Sequence, residues 1–323
     1  MHILLINQSP IPVFGYGGTE RVIWDLGKSL VAMGHRVSYL VPAGSRCDFG
    51  AVLPIRDGVP WEQQIPADVD IAHFQFNPHV ELDRPYLVTE HGNARKVKPL
   101  PRNTVFLSRN HARRYGSTQF VYNGLDWSAY GPVDASRERQ HYHFLGKAAW
   151  SVKNVRGAIA VARKAQVELD VLGGDRIQFK RGFRCTLSRR IHFHGMVGGE
   201  QKFRLLNGSR GLIFPVRWHE PFGLAVIESL YFGCPVFATP YGALPELVPE
   251  SCGHLSASSD QLAAAIRSRT FDRAACHDHV VQNFGADTMA ANYLTVYQRI
   301  LDGETLHASA PFIQEASRNL PWH

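Results

Sequence analysis

Short unbroken apolar runs alternate with helix-periodic segments along most of this chain, and that alternation is the feature that most limits its fold. Ile3 to Ile6 is apolar throughout and is followed by a turn-rich stretch containing Pro10, Pro12, Gly15, Gly17 and Gly18. From Thr19 to Met33 the period changes to that of a helix, with Val22, Ile23, Leu26, Leu30 and Met33 on one face. Gly34 stands where a C-terminal glycine belongs, and Arg36 to Val41 reads as the next strand. Strand, helix and strand make one βαβ unit. Further runs at Val69 to Phe74, Tyr86 to Thr89 and Val105 to Ser108 have the unalternating apolar character of parallel strands buried on both faces.

The alternation lapses between Asp126 and Gln140, where Gly131, Pro132 and charged residues collect, so the interdomain connection is expected there. It resumes with strands at His143 to Leu145, Val167 to Leu172, Ile191 to His194, Leu212 to Pro215 and Pro235 to Ala238. Between them lie helical segments at Val155 to Ala165, Gly199 to Leu206 and Phe222 to Phe232. A last helix, Ala286 to Leu301, carries Met289, Tyr293, Val296, Tyr297 and Ile300 on one stripe. The tail after Gly303 has no pattern and is expected either to be poorly ordered or to lie across a lobe. At 323 residues and 45% apolar composition the chain has material for two cores. The expected organisation is an N-terminal lobe over 1–130, a second lobe over 131–285, and a terminal helix with its tail over 286–323. No repeat relates the lobes, which are expected to be alike in class only.

A formal net charge of +7 implies anionic partners: nucleotide diphosphates, nucleic acid, or an acidic membrane surface. Basic residues gather modestly at Arg109 to Arg114 and Lys180 to Arg190, without an RNA-recognition signature or zinc-finger spacing, so nucleic acid is not expected. The five cysteines form no C-x-x-C pair, which fits a reducing cytoplasm. The first apolar run turns polar at Asn7, too early for a signal-peptide core, and no run reaches the ~18 residues of a membrane span. A cytoplasmic protein that meets a membrane does so peripherally, on its inner face.

The chemistry concentrates in Trp218-His219-Glu220-Pro221-Phe222-Gly223-Leu224-Ala225-Val226-Ile227-Glu228, where a strand runs into a helix. Pro221 suits the start of a helix, and Gly223 lets a ligand approach the main chain. The amides of a first helical turn favour a phosphate. A bare glutamate pair is ordinarily a pair of surface carboxylates. Here the spacing around Pro-Phe-Gly-Leu, together with His194-Gly195, the strand into Pro215 and Tyr241-Gly242 to Glu246, resembles the E-x7-E motif of family 4 retaining glycosyltransferases. The resemblance is strong over residues 143–250 and loose in the first lobe. It implies the α/β GT-B fold, two Rossmann-like doubly wound lobes facing a central cleft, with the donor on the second lobe and the acceptor on the first. It further implies that Glu220 contacts donor-sugar hydroxyls, that the main chain of Phe222, Gly223 and Leu224 contacts the diphosphate, and that Glu228 holds the ribose.

Four other segments resemble the same family. Gly146-Lys147 with Lys153-Asn154 lies where the family usually shows Gly-Arg and then Lys-Gly. The resemblance implies that both lysines face a leaving diphosphate, although lysine at 147 lacks the bidentate reach of arginine. Gly15-Tyr16-Gly17-Gly18-Thr19-Glu20 is similar to the amino-terminal glycine loop that faces the cleft, and it is not a dinucleotide fingerprint, because the spacing fails G-x-G-x-x-G. His91, one of 16 histidines, ends a strand in Thr89-Glu90-His91-Gly92, where the family often has His-Gly near the reacting centre. Asn123-Gly124-Leu125-Asp126 also resembles the family, but reads best as a structural turn. Asp68-Val69-Asp70 opens a strand, His192 and His194 lack further ligands at metal spacing, and Ser108 with His111 lacks a nucleophile elbow, so no metal or hydrolase site is expected.

The function implied is transfer of a hexosyl group from a UDP- or GDP-linked sugar to a glycan, glycolipid or small-molecule acceptor, with retention and without a metal or other cofactor. A sugar-nucleotide epimerase or phosphorylase of the same fold, and a non-catalytic sugar-nucleotide-binding homologue, are the alternatives.

Overall fold

A computed structural model describes residues 1–12, 17–94, 97–134, 136–179, 183–315 and 319–323. The chain forms two compact units, one of Met1–Trp127 with Phe284–Ala316 and one of Ser128–Asn283 with Ser317–His323.

In the first unit β1 (His2–Ile6), α1 (Gly18–Ala32), β2 (Arg36–Val41), β3 (Ala51–Pro54), β4 (Ile71–Phe74), β5 (Tyr86–Thr89), β6 (Thr104–Val105) and α2 (Arg109–Arg114) follow in order. Six parallel strands form one sheet in the order β3-β2-β1-β4-β5-β6. The unbroken apolar runs occupy its centre: every residue of β1, β4 and β5 is buried. The run at Val105 to Ser108 is a strand only to Val105, because Ser108 turns to cap α2, accepting from the His111 amide. The terminal helix, Ala286–Leu301, packs against α1. Its stripe of Met289, Tyr293, Val296, Tyr297 and Ile300 is buried. Buried polar bonds fix that stripe on the sheet: His73 joins Tyr297 and Thr89, each at 2.7 Å, and Thr89 meets Tyr293 at 2.9 Å.

The second unit continues with β7 (His141–Leu145), α3 (Val155–Ala165), β8 (Leu169–Leu172), β9 (Ile177–Gln178), β10 (Arg184–Cys185), β11 (Ile191–Phe193), α4 (Gly199–Asn207), β12 (Ser209–Phe214), α5 (Leu224–Tyr231), β13 (Val236–Ala238), α6 (Leu244–Leu247), β14 (Gly253–Leu255), α7 (Ser259–Ser268) and α8 (Arg273–Asn283). Its parallel sheet runs β11-β8-β7-β12-β13-β14, and β9 and β10 form a separate antiparallel hairpin.

Counted within its own unit, each sheet has the order 3-2-1-4-5-6. The two units therefore share a strand order as well as a class, a closer likeness than the sequence implies. The order reverses between β1 and β4 in one sheet and between β7 and β12 in the other, and crevices at the carboxyl ends of such strand pairs take ligands. Where it is described, the patternless tail follows the second of its two expectations and lies on the lobes. Leu306 and Ile313 are buried in the first unit, and the Leu320 amide bonds to Arg217 in the second. Among the described residues no helix is long and apolar enough to cross a membrane.

Candidate functional site

In the second unit the reversal point is bordered by the chain leaving β7 and the chain leaving β12. A 3-10 turn, Ser151–Lys153, follows β7 and ends at Asn154, whose backbone is left-handed with φ 55° and ψ 49°. Asparagine tolerates that region far better than most side chains, which explains why it can stand where the similar family has glycine. The Asn154 side chain caps α3, accepting from the Gly157 amide at 3.0 Å, and donates to the Pro215 carbonyl at 2.8 Å. One residue thus ties the two bordering loops together.

That tie aligns Lys153 with Glu220. The Lys153 Nζ donates to both carboxylate oxygens, at 2.9 Å to Oε1 and 2.7 Å to Oε2, and Trp218 Nε1–H donates to Oε2 at 2.7 Å. The ammonium also lies 4.9 Å from the Trp218 ring centroid and 5.3 Å from that of Phe214. The two side chains are only 14% and 8% exposed, so the pair is poorly screened. Gly242 holds the backbone of Glu220. It bridges to Glu220 at φ +68°, and a Cβ there would fall 2.2 Å from both Glu220 N and O.

Pro221 and Phe222 precede the helix rather than opening it. Gly223 has φ +114°, a conformation that interrupts a right-handed helix, and α5 begins at Leu224 with no side-chain cap. The expectation of a helix from Phe222 is therefore corrected, while its N-terminal amides remain beside the Glu220 loop. Four residues into α5, Glu228 is buried and accepts from the Tyr130 hydroxyl at 2.7 Å and from Lys202 Nζ at 2.5 Å. Each glutamate of the pair therefore meets a lysine.

Sequence reasoning missed Lys202 and Tyr130. Lys202 shares the buried side of α4 with Leu206, so a charged residue at i before an apolar one at i+4 was its only local signal. Tyr130, in the short turn Trp127–Tyr130, offers none. Lys147 stands with its ammonium 5.2 Å from the Trp150 ring centroid. Gly146 bonds through its amide to the Leu172 carbonyl at 2.9 Å.

In the first unit Gln75 follows β4, and Glu90 and His91 follow β5. His91 Nε2–H donates to Gln75 Oε1 at 2.9 Å, and Gln75 Nε2 is buried with no partner among the described residues. Burial lowers the His91 imidazole to about 4. Burial also raises the Glu90 carboxyl to about 7, against the opposing bond from the Gly92 amide at 3.1 Å. His111, lowered to about 3 chiefly by burial, donates through Nε2–H to the Gly92 carbonyl at 3.0 Å. Gly17 and Gly18 stand at the start of α1, where Arg21 Nε–H donates to the Gly17 carbonyl at 3.1 Å. Gly15 and Tyr16 of that loop lie outside the described residues, as do Lys180 to Gly182 of the second basic cluster.

The remaining patterns have structural partners. Leu125 exchanges backbone bonds with Phe284 and Ala286, and Asp126 pairs with Lys28 at 2.6 Å. Asp70 accepts from the His2 amide at 2.6 Å. His192 bonds to Glu168 and His194 to Asp170, at 3.0 and 2.8 Å.

No curated protein matches the chain. Residues 139–270 match the family model described as glycosyl transferases group 1. Among solved structures, AviGT4, a glycosyltransferase involved in avilamycin A biosynthesis, is 22% identical, with 94% of this chain and 98% of that chain covered at a TM-score of 0.75. Sucrose-phosphate synthase from Thermosynechococcus elongatus is 18% identical, covering 94% and 100% at 0.71. Anabaena HepE, solved with UDP-glucose, is 17% identical, covering 94% and 100% at 0.64. The chain therefore has the GT-B fold of these glycosyltransferases, and the group 1 match falls on the unit that pairs Lys153 with Glu220 and Lys202 with Glu228.

Proposed function

We propose that this chain is a retaining glycosyltransferase that moves a hexosyl group from a UDP- or GDP-linked sugar to a hydroxyl acceptor, in the biosynthesis of a glycan, lipopolysaccharide or glycolipid. The donor is assigned to the second unit and the acceptor to the first. The observation that carries this reading is the Lys153–Glu220 pair held beside the uncapped start of α5.

A diphosphate placed against the amides of Leu224 and Ala225 gains the partial charge of the helix N-terminus and the ammonium of Lys153. Glu220, an acceptor-only carboxylate already oriented by Trp218 and Lys153, takes hydrogen bonds from donor-sugar hydroxyls. Glu228 accepts from the ribose, whose hydroxyl replaces that of Tyr130. As the bond from the anomeric carbon to the phosphate oxygen breaks, negative charge grows on the diphosphate, where a preoriented cation stabilises the transition state by about 3 kcal/mol. The acceptor oxygen bonds to the anomeric carbon on the face the phosphate leaves, and its proton passes to the departing phosphate oxygen. Lys153 and the helix amides supply the charge that a metal supplies elsewhere, so a chelator is expected to leave turnover unchanged.

The solved neighbours support a nucleotide-sugar donor: HepE has been solved with UDP-glucose, and starch synthase IV of Arabidopsis thaliana with ADP and acarbose. Calorimetric titration with UDP, GDP and ADP, followed by NMR of the product made from the matching donor sugar, tests the reading. Binding of one nucleotide and a product with the donor's anomeric configuration are expected. Absence of nucleotide binding, or an epimerised or free sugar formed without an acceptor, contradicts it.

A further inference from the structure

The β9–β10 hairpin of the second unit is inside out. Side chains alternate across a strand, and an exposed strand ordinarily turns its apolar set inward. Here Arg184 and Thr186 are buried, while Phe183, Cys185 and Leu187 face outward. On the paired strand Gln178 lies opposite Arg184, and Ile177 opposite Cys185. The outward side is apolar: Ile177, Phe179, Phe183 and Leu187 are 50%, 77%, 63% and 85% exposed. Phe179 and Phe183 pack on each other, with ring centroids 5.7 Å apart. Four exposed large apolar side chains on one small hairpin exceed what scattered surface residues explain.

The polar side of the hairpin explains the inversion. Arg184 lines a cavity of about 260 Å³ with Arg156 and Arg217, and no carboxylate is among the lining residues. Arg184 donates to the Asp175 carbonyl at 2.7 Å and to Thr186 Oγ1 at 3.1 Å. Arg156 donates to the Phe183 carbonyl, and Arg217 Nε–H to the Leu320 carbonyl at 3.0 Å. A guanidinium carries five donors, so the three have capacity well beyond these bonds. Burial first, and then the Arg156 charge, hold Arg184 below the ordinary guanidinium range, with Asp175 acting in the opposite sense. The start of α3 borders the same cavity through Asn154 and Val155 and adds its positive dipole end. Like charges are thus gathered around a space large enough for a phosphodiester headgroup, under a hairpin whose other face is apolar.

We propose that this hairpin docks the chain on an acidic membrane: Phe179, Phe183 and Leu187 enter the interfacial layer, and the phosphate of an anionic phospholipid is held among Arg156, Arg184 and Arg217. The charge of the cavity selects this occupant. A second copy of the chain would cover the fringe but leave the cluster of guanidiniums without counter-charge, whereas a lipid supplies apolar contact and phosphate together. The net charge of +7 adds long-range attraction to the same surface. None of Lys153, Glu220 and Glu228 lines the cavity, but Asn154, which ties the loops of the candidate donor site, does, so nucleotide affinity is measured beside vesicle binding to tell the two sites apart.

Sedimentation of the full chain with vesicles of phosphatidylcholine, with and without phosphatidylglycerol, tests it. Binding to the mixed vesicles alone is expected. The Phe179→Ser/Phe183→Ser double variant should lower partitioning about 30-fold, from partial loss of the burial that two exposed aromatic side chains gain on entering the membrane. Arg156 is exposed, so Arg156→Gln should fold where a change at buried Arg184 would disturb the hairpin, and it should lower partitioning about 5-fold. Circular dichroism and nucleotide affinity of both variants should match the parent. Equal binding to neutral vesicles, or binding unchanged in both variants, overturns the proposal. So does a concentration-dependent dimer abolished by the phenylalanine changes without vesicle binding, or saturation by glycerol phosphate without vesicle binding, which would mark a soluble-phosphate site.

Discussion

The two units share a strand order but furnish their carboxyl edges with opposite chemistry. In the second unit the reversal point carries charges in pairs, Lys153 with Glu220 and Lys202 with Glu228, all four side chains largely withdrawn from water. In the first unit the edge carries titratable groups that burial drives towards neutrality: His91 at about 4, His111 at about 3 and Glu90 at about 7. An edge of paired ions suits an anionic ligand that can replace or join one member of a pair. An edge of neutral donors and acceptors suits hydroxyls. Under the proposed function the same backbone scaffold would separate a site for phosphate from a site for sugar, and the separation would depend on which side chains follow equivalent strands.

Breaking the Lys153–Glu220 pair should give the largest effect. Lys153→Ala is expected to lower turnover about 100- to 1,000-fold, in the range found when a single charge-stabilising donor is removed. It also leaves the Glu220 carboxylate unpaired in a buried setting, at a cost of about 3 kcal/mol of stability. Steady-state rates with thermal unfolding of the same protein check both. Turnover within a factor of two of the parent would remove Lys153 from the site.

The Glu228 pair should respond more in binding than in turnover. Loss of a hydrogen bond to a charged group is worth about 1.5–3 kcal/mol, so Glu228→Ala should weaken the preferred nucleotide about 10- to 100-fold. Calorimetry reads this directly. Lys202→Met should reproduce part of the loss, because it leaves the Glu228 carboxylate without its ammonium. An unchanged affinity in both variants would make the pair structural only.

The first edge is sharpened by pH rather than by deletion. The Glu90 carboxyl is raised to about 7 in the folded chain from an ordinary 4.5, so the folded state binds more protons between those values. Its contribution therefore falls as pH rises through that window. Glu90→Gln should exceed the parent in stability by about 3 kcal/mol above pH 7, and the advantage should vanish below pH 4.5. His91 has the opposite sign: lowered from 6.5 to about 4, it costs stability as pH falls from 6.5 to 4, and His91→Gln should remove that loss. Around Glu90 the groups to control are His91, His111, Tyr115 and Arg114, since the Glu90 charge acts on Tyr115 and the Arg114 charge on His111 and Tyr115. Urea midpoints across pH 4–8 provide the measurement, and parallel curves for parent and Glu90→Gln would contradict the raised carboxyl.

Much of this scaffold is legible in the sequence where one physical signal dominates. Val155–Ala165 and Ala286–Leu301 are helices over the residues their apolar stripes indicate, because those stripes bury almost without interruption. The Arg273–Asn283 helix escapes notice because only Cys276 and Val280 are buried along it, leaving no stripe to read. The β9–β10 hairpin escapes notice because each strand is only two residues long, too short for a period to register. At the site, Glu220, Lys153 and Glu228 are readable because a local motif carries them. Lys202 is not, since its meaning lies in a carboxylate 26 residues away that only packing brings near. Phe222 was expected inside a helix that Gly223 delays, a displacement set by one backbone angle.

The central claim is that a pyrophosphate binds where the chain leaving β7 meets the start of α5. A crystal structure with UDP or GDP bound tests it most directly. The account predicts phosphate oxygens about 3 Å from the Leu224 or Ala225 amide and from Lys153 Nζ. Nucleotide density elsewhere in the chain, with the Lys153–Glu220 corner closed by side chains, would contradict it.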